Sequence, residues 1–146
     1  MPLEQIFSIA SGVAILGWLL LVLAPLNRKW LVRGARIVVA LLCGGYASLL
    51  AHALLAGPGA PAGAGFGSLE GVSLLFSARG ALLAGWVHYL AFDLFVGSWE
   101  VENAPQHGIA HWLVLPCLFL TLMAGPVGLL LYLLLRATIG KPARIH

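Results

Sequence analysis

IFSIASGVAILGWLLLVLAPL, residues 6–26, runs without a charge and stops at Asn27-Arg28-Lys29-Trp30. A bilayer hydrocarbon core about 30 Å thick takes roughly 20 apolar residues at a helical rise of about 1.5 Å. The stretch has that length, and the paired cations and tryptophan that close it are the marks of a membrane interface. The rest of the chain has the same character. Of its 146 residues 61% are hydrophobic and 9% charged, with a mean hydropathy of +0.99. Soluble domains carry about 25% charged residues, so this chain lacks the polar side chains a watered surface would need. Lipid is the expected solvent for its exterior.

The same ruler finds further spans. The second runs from about Leu31 or Ile37 to Ala56 (span 33–56), with Arg33 and Arg36 on its first turns able to snorkel back to the headgroups. GPGAPAGAGFG, residues 57–67, is a loop by composition. Residues 68–79 place Leu69, Val72, Leu75 and Phe76 at helical spacing over a length too short to cross, which predicts a helix lying at the interface. Residues 80–99 form the third span and residues 109–135 the fourth, long for one crossing, with Pro116 and Pro126 inside it and a kink or break expected near Ala124-Gly125-Pro126. The expected fold class is all-α: one polytopic domain, four transmembrane helices plus a short interfacial helix. Met1 to Gln5 lack the basic start and cleavage site of a signal peptide, so the first helix is expected to be retained.

Charge gives a conflicted orientation. Arg28, Lys29, Arg33 and Arg36 argue for a cytoplasmic first hairpin and an outside N-terminus. Four crossings would then put Arg136, Lys141 and Arg144 outside as well, against the same rule. The net charge of +3 is concentrated at helix flanks, which points to anionic lipid headgroups rather than nucleic acid as partner. Cys43 and Cys117 sit in apolar runs and read as packing residues. Gly44-Gly45 and Gly80-Ala84-Gly85 read as sites of close helix approach.

Ionisable residues inside a membrane helix cost several kcal/mol unless they face protein, water or each other, so each is a functional candidate. Arg79, Trp86, Asp93 and Glu100 recur every seven residues on the third span, with Tyr89 one turn before Asp93. Asp93 is expected about 9 Å from a helix end at Trp99, where His111, Asn103 or His107 could satisfy it, with His88 and His52 nearer the opposite face. Three readings compete. The first is a buried hydrogen-bond network that fixes packing. The second is a metal site, which the five histidines suggest, though they form no cluster of the membrane di-iron type. The third is acid–base chemistry on a lipophilic substrate, with Asp93 or Glu100 as proton donor and a histidine as base. Trp86, Tyr89, Phe92, Phe95, Trp99 and Trp112 suit ordinary packing and an interfacial belt, or a groove for a rigid polyene.

GWVHYLAFDLFVG (Gly85–Gly97), then His111, LVLPCL (113–118), Thr121 and GPVGLLLY (Gly125–Tyr132), resemble the abscisic-acid-deficient-four-like family of small multi-pass membrane proteins. Residues 80–135 carry the likeness well and the first two helices only in layout. The resemblance implies a carotenoid connection, since the plant family is tied to converting the epoxide violaxanthin into the allenic alcohol neoxanthin. That isomerisation needs an acid and a base and no net redox change. The motif positions then imply Asp93, His88, His111 and Tyr89 as catalytic, with Trp86, Phe92, His52, Arg79, Glu100 and Trp112 around the substrate. No metal and no cofactor are expected. The expected partners are membrane lipids and a carotenoid-like ligand. A non-catalytic lipid- or pigment-binding or assembly module is the alternative, as is an ion pathway, which so few helices could form only as a homo-oligomer. The Gly, Ala and Leu bias looks bacterial, which sets an inner-membrane location and separates the family fold from its plant substrate.

Overall fold

The computed structural model describes residues 2–141, and every described element is helical. The order is α1 (Leu3–Val22), a 3-10 turn at Ala24–Leu26, α2 (Arg28–Ala56), α3 (Leu69–Ser77), α4 (Arg79–Gln106), α5 (His111–Ala124) and α6 (Pro126–Ile139). Three of these, α1, α2 and α4, are long and apolar enough to cross a membrane. Arg144 lies outside the described residues.

The core is built on α4, which packs against α1, α2, α5 and α6. Trp18 of α1 is buried and lies against Gly97 of α4, where an added Cβ would sit 2.6 Å from the indole; Gly17 gives the same close approach to Leu94. Gly44, Gly45 and Gly80, expected at such approaches, instead have open space around them, while Gly85 meets Phe76 of α3. Helix α2 buries only Val32, Ala35 and Leu42. Its Ile37, Leu41, Leu54 and Leu55 stand exposed, a continuous apolar face that water would not tolerate on a monomer and lipid would.

Two boundaries differ from expectation with consequences for the site. The third long helix does not end at Trp99 but runs to Gln106, burying Ser98, Glu100, Val101 and Ala104 on the way. It stops where Gly108 turns left-handed (φ 69°) and the Gly108 and Ile109 amides donate to the Pro105 and Ala104 carbonyls at 3.1 and 2.9 Å, a Schellman arrangement. Residues 109–135 do not form one long helix. The expected break at Gly125-Pro126 is present, but the chain reverses there instead of kinking. Pro126 has no amide hydrogen to continue α5 and disfavours helical backbone at Gly125. Gly128 of α6 then lies so close to Thr121 of α5 that a Cβ would overlap the Thr121 amide and hydroxyl. Two helices of 14 residues, each about 21 Å long, therefore stand side by side as a hairpin.

Both feet of this hairpin are at the Gln106 end of α4. His111 at the start of α5 binds the Val22 carbonyl at the end of α1 (3.1 Å), Arg136 of α6 donates to Asn103 (3.2 Å), and the Lys141 amide donates to the His107 carbonyl (2.9 Å). Arg36 of α2 pairs with Glu102 at 2.5 Å at this same end. Arg28, Lys29, Arg33, Arg36, Arg136 and Lys141 thus gather at one end of the bundle. At the other, Arg79 pairs with Glu4, and α3 and the 57–68 loop connect α2 to α4.

Candidate functional site

The heptad stripe Arg79, Trp86, Asp93, Glu100 does not face one neighbour. A straight α-helix drifts by about 20° per heptad, and over three heptads this carries the stripe from α1 to the hairpin. Arg79 reaches Glu4, and Trp86 donates from Nε1 to Ser11 Oγ at 3.0 Å, both on α1. Asp93 faces the hairpin tip: its carboxylate lies 3.0 Å or closer to where a Cβ on Gly125 would be. Glu100 lies deeper along α5, with Thr121 donating to its Oε1 at 3.1 Å.

Asp93 stands at the middle of α4, not near its end. Its Oδ2 is shut from solvent without a hydrogen-bond partner. Asn103, about 15 Å further along the helix axis, accepts instead from Tyr132 (2.8 Å) and Arg136, and so ties the α6 foot to α4. The tip sets Gly125, the residue that opens α6, against the Asp93 carboxylate, and the positive end of a helix dipole favours negative charge there. Tyr89, one turn earlier, donates to the Leu122 carbonyl in the last turn of α5 (3.0 Å) and stacks on Trp86 with ring centres 5.4 Å apart. Trp86 in turn lines an apolar groove of about 300 Å³ between α1 and α4, with Leu3, Phe7, Leu82 and Leu83 as its walls and the Glu4–Arg79 pair at its mouth.

The structure therefore brings Asp93, Tyr89, Trp86 and, at the groove mouth, Arg79 into one continuous set. It does not bring the histidines there. His88 points away, stacked on Phe92 (4.5 Å) and edge-on to Tyr46 of α2 (5.5 Å). His111 closes the C-terminal end of α1 through Val22, supplying a donor to a carbonyl the helix leaves open. His52 is exposed on the outer side of α2, and Trp112 is exposed beside the α5 foot. Among the described residues no three His, Cys, Asp or Glu side chains converge. Cys117 is buried in packing and Cys43 exposed on α2.

Glu100 is 0% exposed, has no ion pair among the described residues, and leaves Oε2 unpartnered. Its only hydroxyl partner is Thr121, the residue against which Gly128 packs. Thr121→Val keeps the shape and removes the donor, stranding a buried carboxyl at a cost of about 1–3 kcal/mol. The expected result is a thermal midpoint in detergent lower by roughly 3 to 10 °C, with Thr121→Ser close to wild type; equal midpoints for the valine variant would show that the bond contributes nothing.

Thr121, Gly125, Gly128 and Tyr132 were all inside the family-like run, yet sequence spacing assigned them no contact. The pairing of Gly128 with Thr121 becomes visible only once the chain reverses. The model of the ABA DEFICIENT 4-like family matches residues 5–132. The chain belongs to this family. The match takes in both the α4 face and the whole turn of the hairpin, and it extends the likeness to α1 and α2, which the motifs alone did not reach. Membership joins the three crossing-length helices in marking a membrane protein of a family linked to carotenoid metabolism. No curated protein and no solved structure matches the chain.

Proposed function

We propose that this protein crosses the membrane three times through α1, α2 and α4, dips back into it through the α5–α6 hairpin, and binds a carotenoid-like isoprenoid on which Asp93 and Tyr89 act as a proton acceptor and donor. The observation that carries the reading is the Asp93 carboxylate at the hairpin tip, whose Oδ2 is buried without a hydrogen-bond partner, one helical turn from Tyr89, which stacks on Trp86 at the wall of the apolar groove. A groove of about 300 Å³ is too small for a whole polyene and suits one end of it. The polyene would lie along the apolar faces toward lipid.

An epoxide-to-allenic-alcohol isomerisation fits that pair. The Asp93 carboxylate takes the ring-adjacent proton, the C–O bond of the epoxide opens, and its oxygen takes the Tyr89 phenolic proton. Transfer of the gained proton from Asp93 to Tyr89, one helical turn apart, restores both groups, so the step is balanced without a cofactor. His88 and His111 are left with packing and capping roles. The three-crossing arrangement also resolves the charge conflict: with the hairpin returning to its own side, all six described basic residues at that end lie on the cytoplasmic face of a bacterial-type inner membrane, and the N-terminus, α3 and Arg79 lie on the other. There α3 rests at the interface.

The test is expression in cells that accumulate an epoxy-carotenoid, with pigments separated by chromatography. Wild type should form the isomer. Asp93→Asn and Tyr89→Phe should lower the yield by about 100-fold or more, the range for loss of a positioned acid or base, while pigment still copurifies with each variant. Undiminished conversion by Asp93→Asn would overturn the assignment. The separation of both histidines from Asp93 favours one other reading, a pigment- or lipid-binding module without chemistry; copurifying pigment with no conversion by wild type would establish it.

A further inference from the structure

A second cavity, of about 510 Å³, opens at the other end of the bundle between the first turns of α2 and the last turns of α4, lined by Arg28, Lys29, Val32, Arg33, Arg36 and Glu102. Four cations face one carboxylate. Arg36 spends its two terminal nitrogens on Glu102 at 3.4 and 2.5 Å. Its Nε and the Nε of Arg28 are closed off from solvent and have no acceptor. Guanidinium donors removed from water are costly to leave unmatched, and with four cations against one carboxylate an anionic acceptor suits the charge that remains. The cavity also has the right surroundings for a membrane anion. Trp30, 64% exposed, lies beside it and holds Arg33 over its ring at 5.3 Å, and Leu26, 79% exposed, precedes it, an aromatic and apolar rim at headgroup depth. The first amides of α2 add a positive helix end on the same side.

We infer that this cavity is a binding site for the phosphate of an anionic membrane lipid, with Arg28 and Arg36 as its hydrogen-bonding donors and Lys29 and Arg33 as supporting charge. Arginine suits this work because its planar fork matches phosphate oxygens and it sheds water more readily than lysine. Glu102 acts as the occupant's competitor, holding Arg36 in place when the site is empty of lipid. The inference stands apart from the reading of Asp93, which lies at the middle of α4 and shares no residue with this cavity.

The test uses the full chain in lipid nanodiscs, read by native mass spectrometry for retained lipid, with phosphatidylglycerol and phosphatidylcholine as the two lipids and inorganic phosphate as competitor. Phosphatidylglycerol should be retained selectively. A cation near a membrane surface contributes about five-fold in binding, so Arg28→Gln should weaken retention about five-fold and Arg28→Gln with Arg33→Gln about twenty-five-fold. Glu102→Gln should strengthen it, which separates a lipid site from a merely structural Arg36–Glu102 pair, since loss of that pair alone would weaken nothing but the fold. Equal retention of the two lipids, or retention unmoved by the arginine variants, would overturn the inference. Displacement of phosphatidylglycerol by millimolar phosphate would overturn the lipid as source in favour of a soluble phosphate.

Discussion

Replacing Gly128 by valine should abolish the folded protein. A Cβ at this position overlaps the amide and hydroxyl of Thr121, and backbone atoms in the middle of a helix cannot step aside as a side-chain terminus can. Overpacking a core costs about 1–3 kcal/mol when side chains can adjust, and more when they cannot. Here the clash is with the opposite arm of the hairpin, so relief requires α5 and α6 to part. Parting them would expose the Thr121–Glu100 bond and pull the Arg136 and Tyr132 contacts from Asn103. The expected outcome is near-complete loss of monodisperse protein after detergent extraction, measured by size-exclusion chromatography. Gly12→Ala and Gly44→Ala, where nothing lies within 4 Å, should extract like wild type. A well-folded Gly128→Val protein would mean that the two arms do not touch.

The second large effect is one of sidedness. In a parent carrying Cys43→Ser and Cys117→Ser, single cysteines are introduced by Leu26→Cys, Ala110→Cys, Lys141→Cys and Ala60→Cys, and sealed vesicles of known orientation are treated with an impermeant maleimide. A returning hairpin makes the first three react from one face and Ala60→Cys from the other, nearly all or none in each case. If Lys141→Cys groups with Ala60→Cys, α5 and α6 cross together as one span, and the placement of Arg136 and Lys141 with the α2 cations fails.

The long apolar helices were legible because bilayer thickness imposes a length that any sequence window can measure; α1 and α3 overlap the segments expected for them, while α2 begins at Arg28, five residues ahead of its expected start. The extension of α4 from Trp99 to Gln106 was not legible. Glu100, Glu102 and Asn103 read as loop by polarity, but each has a partner distant in sequence: Thr121, Arg36 and Tyr132. Hydropathy likewise located the break at Gly125-Pro126 without its angle, because a kink and a reversal require the same residues locally and differ only in what Gly128 meets. The site divides the same way. Asp93, Tyr89 and Trp86 follow from helical spacing, and Tyr89 stacks on Trp86 one turn from Asp93. His111 was joined to Asp93 by an expected helix end at Trp99, which the extension of α4 removes, and His88 by motif membership; a separation of five residues turns His88 about 140° from Asp93 around the helix, toward Tyr46.

The hairpin that reaches only to the level of Asp93 also gives the molecule unequal girth. In the orientation proposed above, five helices pass through the cytoplasmic half of the bilayer and three through the outer half, so the protein is a wedge whose broad end faces the cytoplasm. Lipids of the outer leaflet must fill the space beneath the hairpin tip that two helices leave empty, or the leaflet must bend to close over it. A polyene lying there would take the place of those lipid tails, with one end beside Tyr89, and would reach the site sideways from the membrane without ever entering water.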